Sequence, residues 1–277
     1  MVEETFKEKR QSSSQHVLSL EDAKQVICYP EHYATPEECN RRIEELRREG
    51  VKHILSMGKT KIGRISVLGK GHAGIISAAL LENGKVIAVK IRRFDSKRKS
   101  LEREAILQYL AALVNVAPTV YAFSRNFIMM EIIQGITLGE YLETKYCENN
   151  EHDIFLVTRS LIKKAFILDC IGIEHLELSN PRKQVMVQDY DPEKVFILDY
   201  ESAKYTPRAS NVTSIIGFII GKGKKYFHLD IHDLENLIKL SKIYKKTLDI
   251  SYRYIILNRF IDILNKYDRG SQISKHL

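Results

Sequence analysis

The most regular pattern of apolar and polar residues runs from Val67 to Lys90 and reads VLGKGHAGIISAALLENGKVIAVK. Two apolar runs flank Asn83-Gly84 in this stretch, and such a pair is typical of antiparallel strands joined by a type I′ turn. One strand is predicted before the hairpin, at Ile62–Leu68. Two more are predicted after it, at Pro118–Phe123 and Phe127–Ile133. The pattern therefore predicts a small antiparallel sheet.

Apolar residues recur at helical spacing outside these strands. Thr35-Pro36-Glu37-Glu38 is a helix start signal, and Gly50 ends the predicted helix. Later helices are predicted after Ser100, from Asp153 to Cys170 and from Ile250 to Tyr267. The chain is thus predicted to be an α+β protein. It is divided into a disordered tail at 1–17, an N-terminal helical extension at 18–58, a sheet-containing lobe at 59–133 and a mainly helical lobe at 134–277.

Composition adds a bias toward anionic partners. The chain has 277 residues, with 43 Lys and Arg against 35 Asp and Glu, which gives a net charge of +8. Such a surface attracts phosphates, acidic partners or RNA. No apolar run reaches the roughly 20 residues of a membrane span, so a cytoplasmic protein without membrane contact is predicted. The four cysteines, for which buried thiols are favoured over disulfides or zinc ligands, are Cys28, Cys39, Cys147 and Cys170.

The loop before the hairpin has the spacing G-x-G-x-x-G, formed by Gly69, Gly71 and Gly74. Backbone N–H groups can approach phosphate oxygens closely where no Cβ is present. A dinucleotide-binding loop has the same spacing, but its last glycine opens a helix. Here the last glycine leads into a strand, which favours the nucleotide loop of a kinase, with Ile76 covering the adenine.

Lys90 ends the run IAVK, at the position where a kinase lysine reaches the α- and β-phosphates. The helix after Ser100 has its apolar positions at Leu101, Ala105, Leu107, Leu110 and Leu113. Glu102 and Glu104 on this helix compete as the partner of the lysine, and Glu104 is preferred because it leaves the leucines on the packing side. The remaining residues predicted to contact the nucleotide are Ala88, Met130, Glu131 and Ile133.

Two short segments of the second lobe carry the remaining candidate chemistry. His175-Leu176-Glu177-Leu178 takes the place of H-R-D-L, and Asp199-Tyr200-Glu201 takes that of D-F-G. Glu177 is the predicted catalytic acid, and Asp199 the predicted Mg²⁺ ligand. Arg182 occupies the place of the usual asparagine ligand, so Gln184 is the preferred second ligand, with Asn180 as the alternative.

The motifs LGKGHAG, IAVKIRRFD, LEREA, EHLELSNPRKQV and LDYESA, spread over residues 54–240, resemble those of archaeal atypical serine/threonine kinases. These are related to the RIO kinases and to the small kinase of the KEOPS tRNA-modification complex. The resemblance implies a protein-kinase-like bilobal fold with a reduced C-terminal lobe, and the use of Mg-ATP. It also implies protein substrates and an association with RNA or ribonucleoprotein. It further implies that an aspartate, here Asp230, supports the catalytic loop.

Three functions are compatible with these residues. The preferred one is an active serine/threonine protein kinase, Mg-dependent and capable of autophosphorylation, in which Lys90, Glu177 and Asp199 are the catalytic residues. The altered acid and metal-ligand positions also permit a nucleotide-binding pseudokinase or an ATP-dependent switch in RNA or ribosome assembly. A small-molecule kinase is the third alternative, because fold alone does not determine the substrate.

Overall fold

A computed structural model describes residues 17–268. The tail predicted at 1–17, except Val17, and the predicted frayed end SQISKHL lie outside the described residues. The α+β prediction is confirmed, since antiparallel sheets and helices alternate along the described chain. The chain forms two compact units. The first unit consists of the described residues up to Ala105 together with Val120–Ile132, and the second of Ile106–Thr119 together with the described residues from Ile133 onward.

The first unit is built on an antiparallel sheet with the strand order β1-β2-β6-β7-β9-β8, and β5 pairs with β6. A separate hairpin pairs β3 with β4. The strands of this unit are β1 (Val17–Leu18), β2 (Val51–Leu55), β3 (Thr60–Ile62), β4 (Ile65–Val67), β5 (Gly69–Lys70), β6 (Gly74–Leu81), β7 (Val86–Arg92), β8 (Val120–Phe123) and β9 (Phe127–Met130). The predicted hairpin is β6 and β7, which pair from Gly74 with Arg92 to Leu80 with Val86.

In the first unit one strand prediction is wrong, and strand β2 was not predicted. The single strand predicted at Ile62–Leu68 is instead the β3–β4 hairpin, because Gly63 has a positive φ of 55° and turns the chain between the two strands. Val51–Leu55, in a segment for which only helices were predicted, is the strand β2 and pairs with β6. Val51 and Ile54 are buried in the same cluster as apolar side chains of β6 and β7, so burial on the sheet determines the structure of this segment.

Helices α1 (Lys24–Ile27) and α2 (Pro36–Arg48) belong to the first unit, as does the first turn of α3 (Glu102–Leu113). The start predicted for α2 is confirmed. The Thr35 Oγ1 atom accepts a hydrogen bond from the backbone N–H of Glu38 at 3.2 Å, and the Glu38 carboxylate accepts one from the Thr35 N–H at 3.4 Å. This capping box satisfies donors that would otherwise lack partners at the helix start.

The prediction of thiols for all four cysteines is wrong at two positions. Cys28, directly after α1, and Cys39, in the first turn of α2, form a disulfide with their Cα atoms 5.5 Å apart. Both side chains are buried, because the end of α1 packs against α2. Cys147 and Cys170 are free but exposed, rather than buried as predicted.

The second unit has a three-stranded antiparallel sheet of order β10-β12-β13 and a short pair, β11 with β14. Its strands are β10 (Gly135–Thr137), β11 (Ile173–Glu174), β12 (Val185–Gln188), β13 (Val195–Ile197) and β14 (Lys204–Tyr205). The predicted hairpin around Asp191 is confirmed, since Val185 pairs with Ile197 and Val187 with Val195. Its helices are α4 (Leu138–Cys147), α5 (Glu151–Cys170), α6 (Asn211–Ile220), α7 (Ile231–Lys246) and α8 (Ile250–Asn265), together with the remainder of α3.

The core of the second unit lies among these helices and the β12–β13 hairpin, and its largest fully buried members are Tyr141, Tyr200, Tyr226 and Tyr244. On α3, Leu107 is buried as predicted, but Leu110 is 42% exposed and Leu113 is 65% exposed. The apolar pattern of α3 therefore continues onto a face that is not buried in this chain. Within residues 17–268, none of the helices has both the length and the apolar character of a membrane span.

Candidate functional site

The glycine-rich loop lies between β5 and β6 in the first unit. The backbone N–H of Gly71 donates to the carbonyl oxygen of Gly74 at 2.8 Å, which closes the loop. A Cβ atom at Gly74 would lie 2.9 Å from the carbonyl oxygen of Ile91 and 3.1 Å from the Lys90 Cγ atom. The strand β7 therefore requires glycine at this position, whereas a Cβ at Gly69 or Gly71 would make ordinary contacts only.

Lys90 lies on β7, and its neighbours across the sheet are Ile76 on β6 and Ile128 on β9. Gly69 in turn pairs with Ile76. The first glycine of the loop, the residue predicted to cover the adenine and the predicted phosphate-binding lysine therefore lie side by side on neighbouring strands. The Lys90 side chain is only 4% exposed. Its Nζ atom lies 2.5 Å from the Glu104 Oε1 atom, and Glu104 is 6% exposed.

This ion pair decides between the two candidate glutamates. Glu104 contacts Lys90, whereas the exposed Glu102 accepts a hydrogen bond from the Ser100 hydroxyl at 2.7 Å. Taking two charges out of water is unfavourable even when they pair well, and replacing such a pair by apolar residues is often neutral or stabilising. Stability therefore gives little reason for a lysine and a glutamate at these positions.

The other residues predicted to contact adenine lie on two elements. Ala88 on β7 is buried and pairs with Met130 at the end of β9, and Glu131 directly follows that strand. Met130 and Glu131 are both partly buried. Ile133 begins the part of the chain that belongs to the second unit, where it precedes β10.

Glu177 in the second unit accepts two side-chain hydrogen bonds. The Gln184 Nε2 atom donates to Glu177 Oε2 at 2.6 Å, and the Ser202 hydroxyl donates to Glu177 Oε1 at 3.0 Å. The carboxylate is therefore oriented from two sides, by the residue before β12 and by the turn after β13. Since the nitrogen of the Gln184 amide is engaged, its oxygen is the atom that could coordinate a cation.

Asp199 follows β13 with a left-handed backbone, at φ 62° and ψ 77°. Few residues other than glycine adopt this conformation, aspartate more readily than most, and strained residues of this kind cluster at functional sites. The N–H of Leu198 donates to the carbonyl oxygen of Gln184 at 2.7 Å, which fixes the chain before Asp199 beside Gln184. A carboxylate and an amide oxygen are ligands that suit Mg²⁺, so these residues fit the predicted ion.

Arg182, at the place of the usual asparagine ligand, makes a different contact. Its Nη2 atom donates to Glu143 Oε1 on α4 at 2.8 Å. Glu143 also accepts hydrogen bonds from the Lys225 ammonium at 2.7 Å and from the Tyr226 hydroxyl at 2.7 Å. The bond from Lys225 holds the pKa of the Glu143 carboxyl below its usual value. Asn180, the alternative ligand, is exposed.

No protein-family model matches the chain. A curated protein of Methanocaldococcus jannaschii, named Uncharacterized protein MJ1211, is 25% identical over 114 residues, which covers 39% of this chain and 95% of that protein. Its name states no function, and this identity does not show a common family.

Among residues 17–268, no group of three or more His, Cys, Asp or Glu side chains is arranged to hold a metal ion. The predicted magnesium ligands, Asp199 and Gln184, are only two residues, and one of them is a glutamine, so they do not form a group of this kind. The function of both residues remains a prediction.

Asn211, which the sequence analysis missed, supports the loop that carries Glu177. Its Oδ1 atom accepts a hydrogen bond from the backbone N–H of His175 at 2.8 Å. The prediction of Asp230 for this role is wrong. Asp230 caps α7 by accepting from the N–H of Asp233 at 2.8 Å, and it accepts the Tyr267 hydroxyl at 2.8 Å.

A buried carboxylate orients Asn211. Asp169 on α5 accepts hydrogen bonds from the Asn211 backbone N–H at 2.6 Å and from its Nδ2 atom at 2.7 Å, and a third comes from the Tyr244 hydroxyl at 2.7 Å. Burial raises the pKa of Asp169 to about 6, and these hydrogen bonds oppose the rise. The sequence signal for this network was Asp169 itself, a charged residue that directly follows the apolar residues Ile167 and Leu168. A buried charge requires hydrogen-bond partners.

Proposed function

We propose that this protein is an atypical serine/threonine protein kinase with a protein-kinase-like bilobal fold and a reduced C-terminal lobe. The observation that carries the proposal is the buried Lys90–Glu104 pair beside the glycine-rich loop. A buried ion pair is weak evidence for stability, but protein kinases require a strand lysine that is held by a glutamate on the following helix. Asp199 would supply a carboxylate that binds the metal ion, and Glu177 one that contacts the hydroxyl group of the protein substrate.

The roles follow from the chemistry of the side chains. The Lys90 ammonium, oriented by Glu104, would bind the α- and β-phosphates of ATP. Asp199 and Gln184 would hold Mg²⁺, which when bound supplies positive charge to the triphosphate. Glu177, fixed by Gln184 and Ser202, would accept or orient the proton of a serine or threonine hydroxyl on a protein substrate.

The decisive experiment compares Mg-ATP binding and phosphoryl transfer in three proteins. We expect Mg-ATP to raise the melting temperature of the wild type by mass action. The rise should be much smaller in Lys90→Met and unchanged in Lys52→Met, which alters an exposed lysine on strand β2 of the same sheet. Radiolabelled phosphate should be transferred to the protein itself or to a generic acceptor by the wild type and Lys52→Met only.

Lys90→Met removes the ammonium that contacts the buried Glu104 carboxylate, so the variant can lose stability for a reason unrelated to nucleotide. The double variant Lys90→Met/Glu104→Gln removes the buried charge and separates the two effects. Equal Mg-ATP shifts in the folded double variant and the wild type would exclude Lys90 as the phosphate-binding lysine.

One observation favours a second candidate, a nucleotide-binding protein that does not transfer phosphate. Both oxygens of Glu177 accept hydrogen bonds within the chain, from Gln184 and Ser202. If these bonds persist in the nucleotide complex, the carboxylate is engaged as a structural acceptor. Binding of Mg-ATP without any transfer to protein acceptors would support this candidate.

A further inference from the structure

The glycine-rich loop is contacted through Lys70 and Arg93 by Tyr29, a residue that lies outside both nucleotide motifs. One contact group in the first unit consists of Tyr29, Lys70, Arg93 and Asp95. Tyr29 directly follows the disulfide-bonded Cys28, and its carbonyl oxygen accepts a hydrogen bond from the N–H of Phe94 at 2.8 Å. The segment before α2 is thereby attached to the chain that follows β7.

Lys70 connects the loop to this segment. It stands between Gly69 and Gly71, and its Nζ atom donates to the Tyr29 hydroxyl at 2.6 Å. The same ammonium lies 4.6 Å from the centre of the Tyr29 ring. A cation close to an aromatic ring is attracted by the ring face, so both the hydroxyl and the ring hold Lys70.

Arg93 makes a second connection, to the other half of the loop. Its backbone N–H donates to the carbonyl oxygen of Ala73 at 2.9 Å, and its Nη1 atom donates to the carbonyl oxygen of Gly71 at 3.0 Å. The guanidinium lies 5.2 Å from the centre of the Tyr29 ring.

The orientation of the Arg93 side chain is fixed by Asp95. Two of its nitrogens donate to the Asp95 carboxylate, at 2.8 Å and 2.6 Å. Hydrogen bonding to Arg93 lowers the pKa of Asp95, so the pair stays charged at neutral pH. The planar guanidinium thus holds a carboxylate and a loop carbonyl at once, which a lysine cannot do in the same geometry.

We propose that Tyr29 is a positioning residue for the phosphate-binding loop, acting through Lys70 and Arg93. This role rests on the proposed function, since the loop is assumed to bind the phosphates of ATP. Loops of glycine are mobile unless other groups order them, and a preordered loop loses less freedom when ligand binds. Loss of the Tyr29 contacts should therefore weaken binding of the triphosphate while leaving binding of the adenosine part intact.

The test uses the full chain and compares dissociation constants for Mg-ATP and for adenosine by calorimetry. We expect Tyr29→Leu to weaken Mg-ATP binding about tenfold and adenosine binding less than twofold. Tyr29→Phe keeps the ring but lacks the hydroxyl that accepts from Lys70, so a smaller loss of about threefold is expected. The control Tyr33→Phe alters a 60% exposed tyrosine in the same disulfide-closed segment and should change neither constant.

Two further measurements distinguish positioning from general destabilisation. In Tyr29→Phe/Lys70→Met the losses should be less than additive, because both changes remove the same hydrogen bond. Hydrogen–deuterium exchange without nucleotide should be faster in residues 69–74 of Tyr29→Leu and unchanged in the second unit.

Each outcome has a defined meaning. Equal losses for ATP and adenosine, or unchanged exchange of the loop, would overturn the positioning role. A wild type that binds no Mg-ATP would overturn the proposed function and this use of Tyr29 with it, whereas faster loop exchange in Tyr29→Leu would still establish the contact itself.

Discussion

The buried carboxylate of Asp169 should make the stability of the second unit depend on pH in a defined direction. Its side chain is 5% exposed, and burial raises its pKa from 3.8 to about 6. Between these two values the Asp169 carboxyl binds more protons in the folded protein than in the unfolded chain, so its contribution to stability is greatest below pH 4 and is lost as the pH rises through 6. The shift corresponds to about 3 kcal/mol at 1.36 kcal/mol per pKa unit.

The perturbation is Asp169→Asn, which cannot ionise. At low pH the Asp169→Asn variant should have a free energy of unfolding about 1–3 kcal/mol lower than that of the wild type. The amide nitrogen of the variant cannot accept from the backbone N–H groups of Asn211 or Val212, and the structure has Asp169 accepting from both. As the wild type loses its proton, this difference should decrease by about 2 kcal/mol between pH 4.5 and pH 7.5, because part of the total change lies below pH 4.5.

Urea denaturation followed by circular dichroism, at intervals from pH 4.5 to 7.5, measures the two unfolding free energies. Asp262→Asn, at an exposed position on α8, serves as the control and should differ from the wild type by a constant amount. A carbon-13 NMR titration of the Asp169 carboxyl gives the pKa directly. A stability difference that stays constant over this range, or that grows as the pH rises, would refute the assignment of a raised pKa.

Four other changes test the remaining parts of the structure. Asn211→Ala removes the acceptor of the His175 N–H and should lower phosphoryl transfer more than tenfold with Mg-ATP affinity nearly unchanged; equal losses in both would contradict a role limited to the Glu177 loop. If the loop is built for the longer side chain, Glu177→Asp should lower phosphoryl transfer on the order of a hundredfold. An autophosphorylation assay measures this, and a higher rate in the variant would instead indicate a kinase that has lost its catalytic acid. Asp199→Ala should abolish transfer without changing the circular dichroism spectrum, and full activity would remove it as a metal ligand. Cys39→Ser opens a loop with a sequence separation of 11 and should lower the free energy of unfolding by about 3 kcal/mol in oxidising buffer, while an unchanged urea midpoint would contradict the contribution of the disulfide.

The residues of the first unit could largely be predicted, because their contacts follow from local patterns. The turn between Leu81 and Lys85, in which Gly84 but not Asn83 has a positive φ, sets the register of β6 and β7. This register brings Ile76 next to Lys90. Glu104 was chosen over Glu102 because it leaves Leu107 and Leu110 on the packing side of α3. The choice agrees with the observed ion pair, although of these two leucines only Leu107 is buried.

Predictions that required contacts between distant segments were less successful. Cys28 and Cys39 have no spacing that identifies a disulfide, since their approach depends on how α1 packs against α2. Val51–Leu55 is too short to show whether it is a strand until β6 is placed beside it. Asn211 lies 36 residues from the backbone group it binds, and no local pattern at its position indicates that partner.

The N-terminal segment has a consequence for how this chain avoids self-association. Strand β2 covers one edge of β6, and half of the buried cluster on that side of the sheet comes from residues before position 58. An uncovered strand edge presents free backbone donors and acceptors to other chains and favours aggregation. A truncated protein that begins at position 59 would expose both this edge and the apolar face of the sheet. The first forty described residues thus protect the chain against misassembly, whatever else they bind.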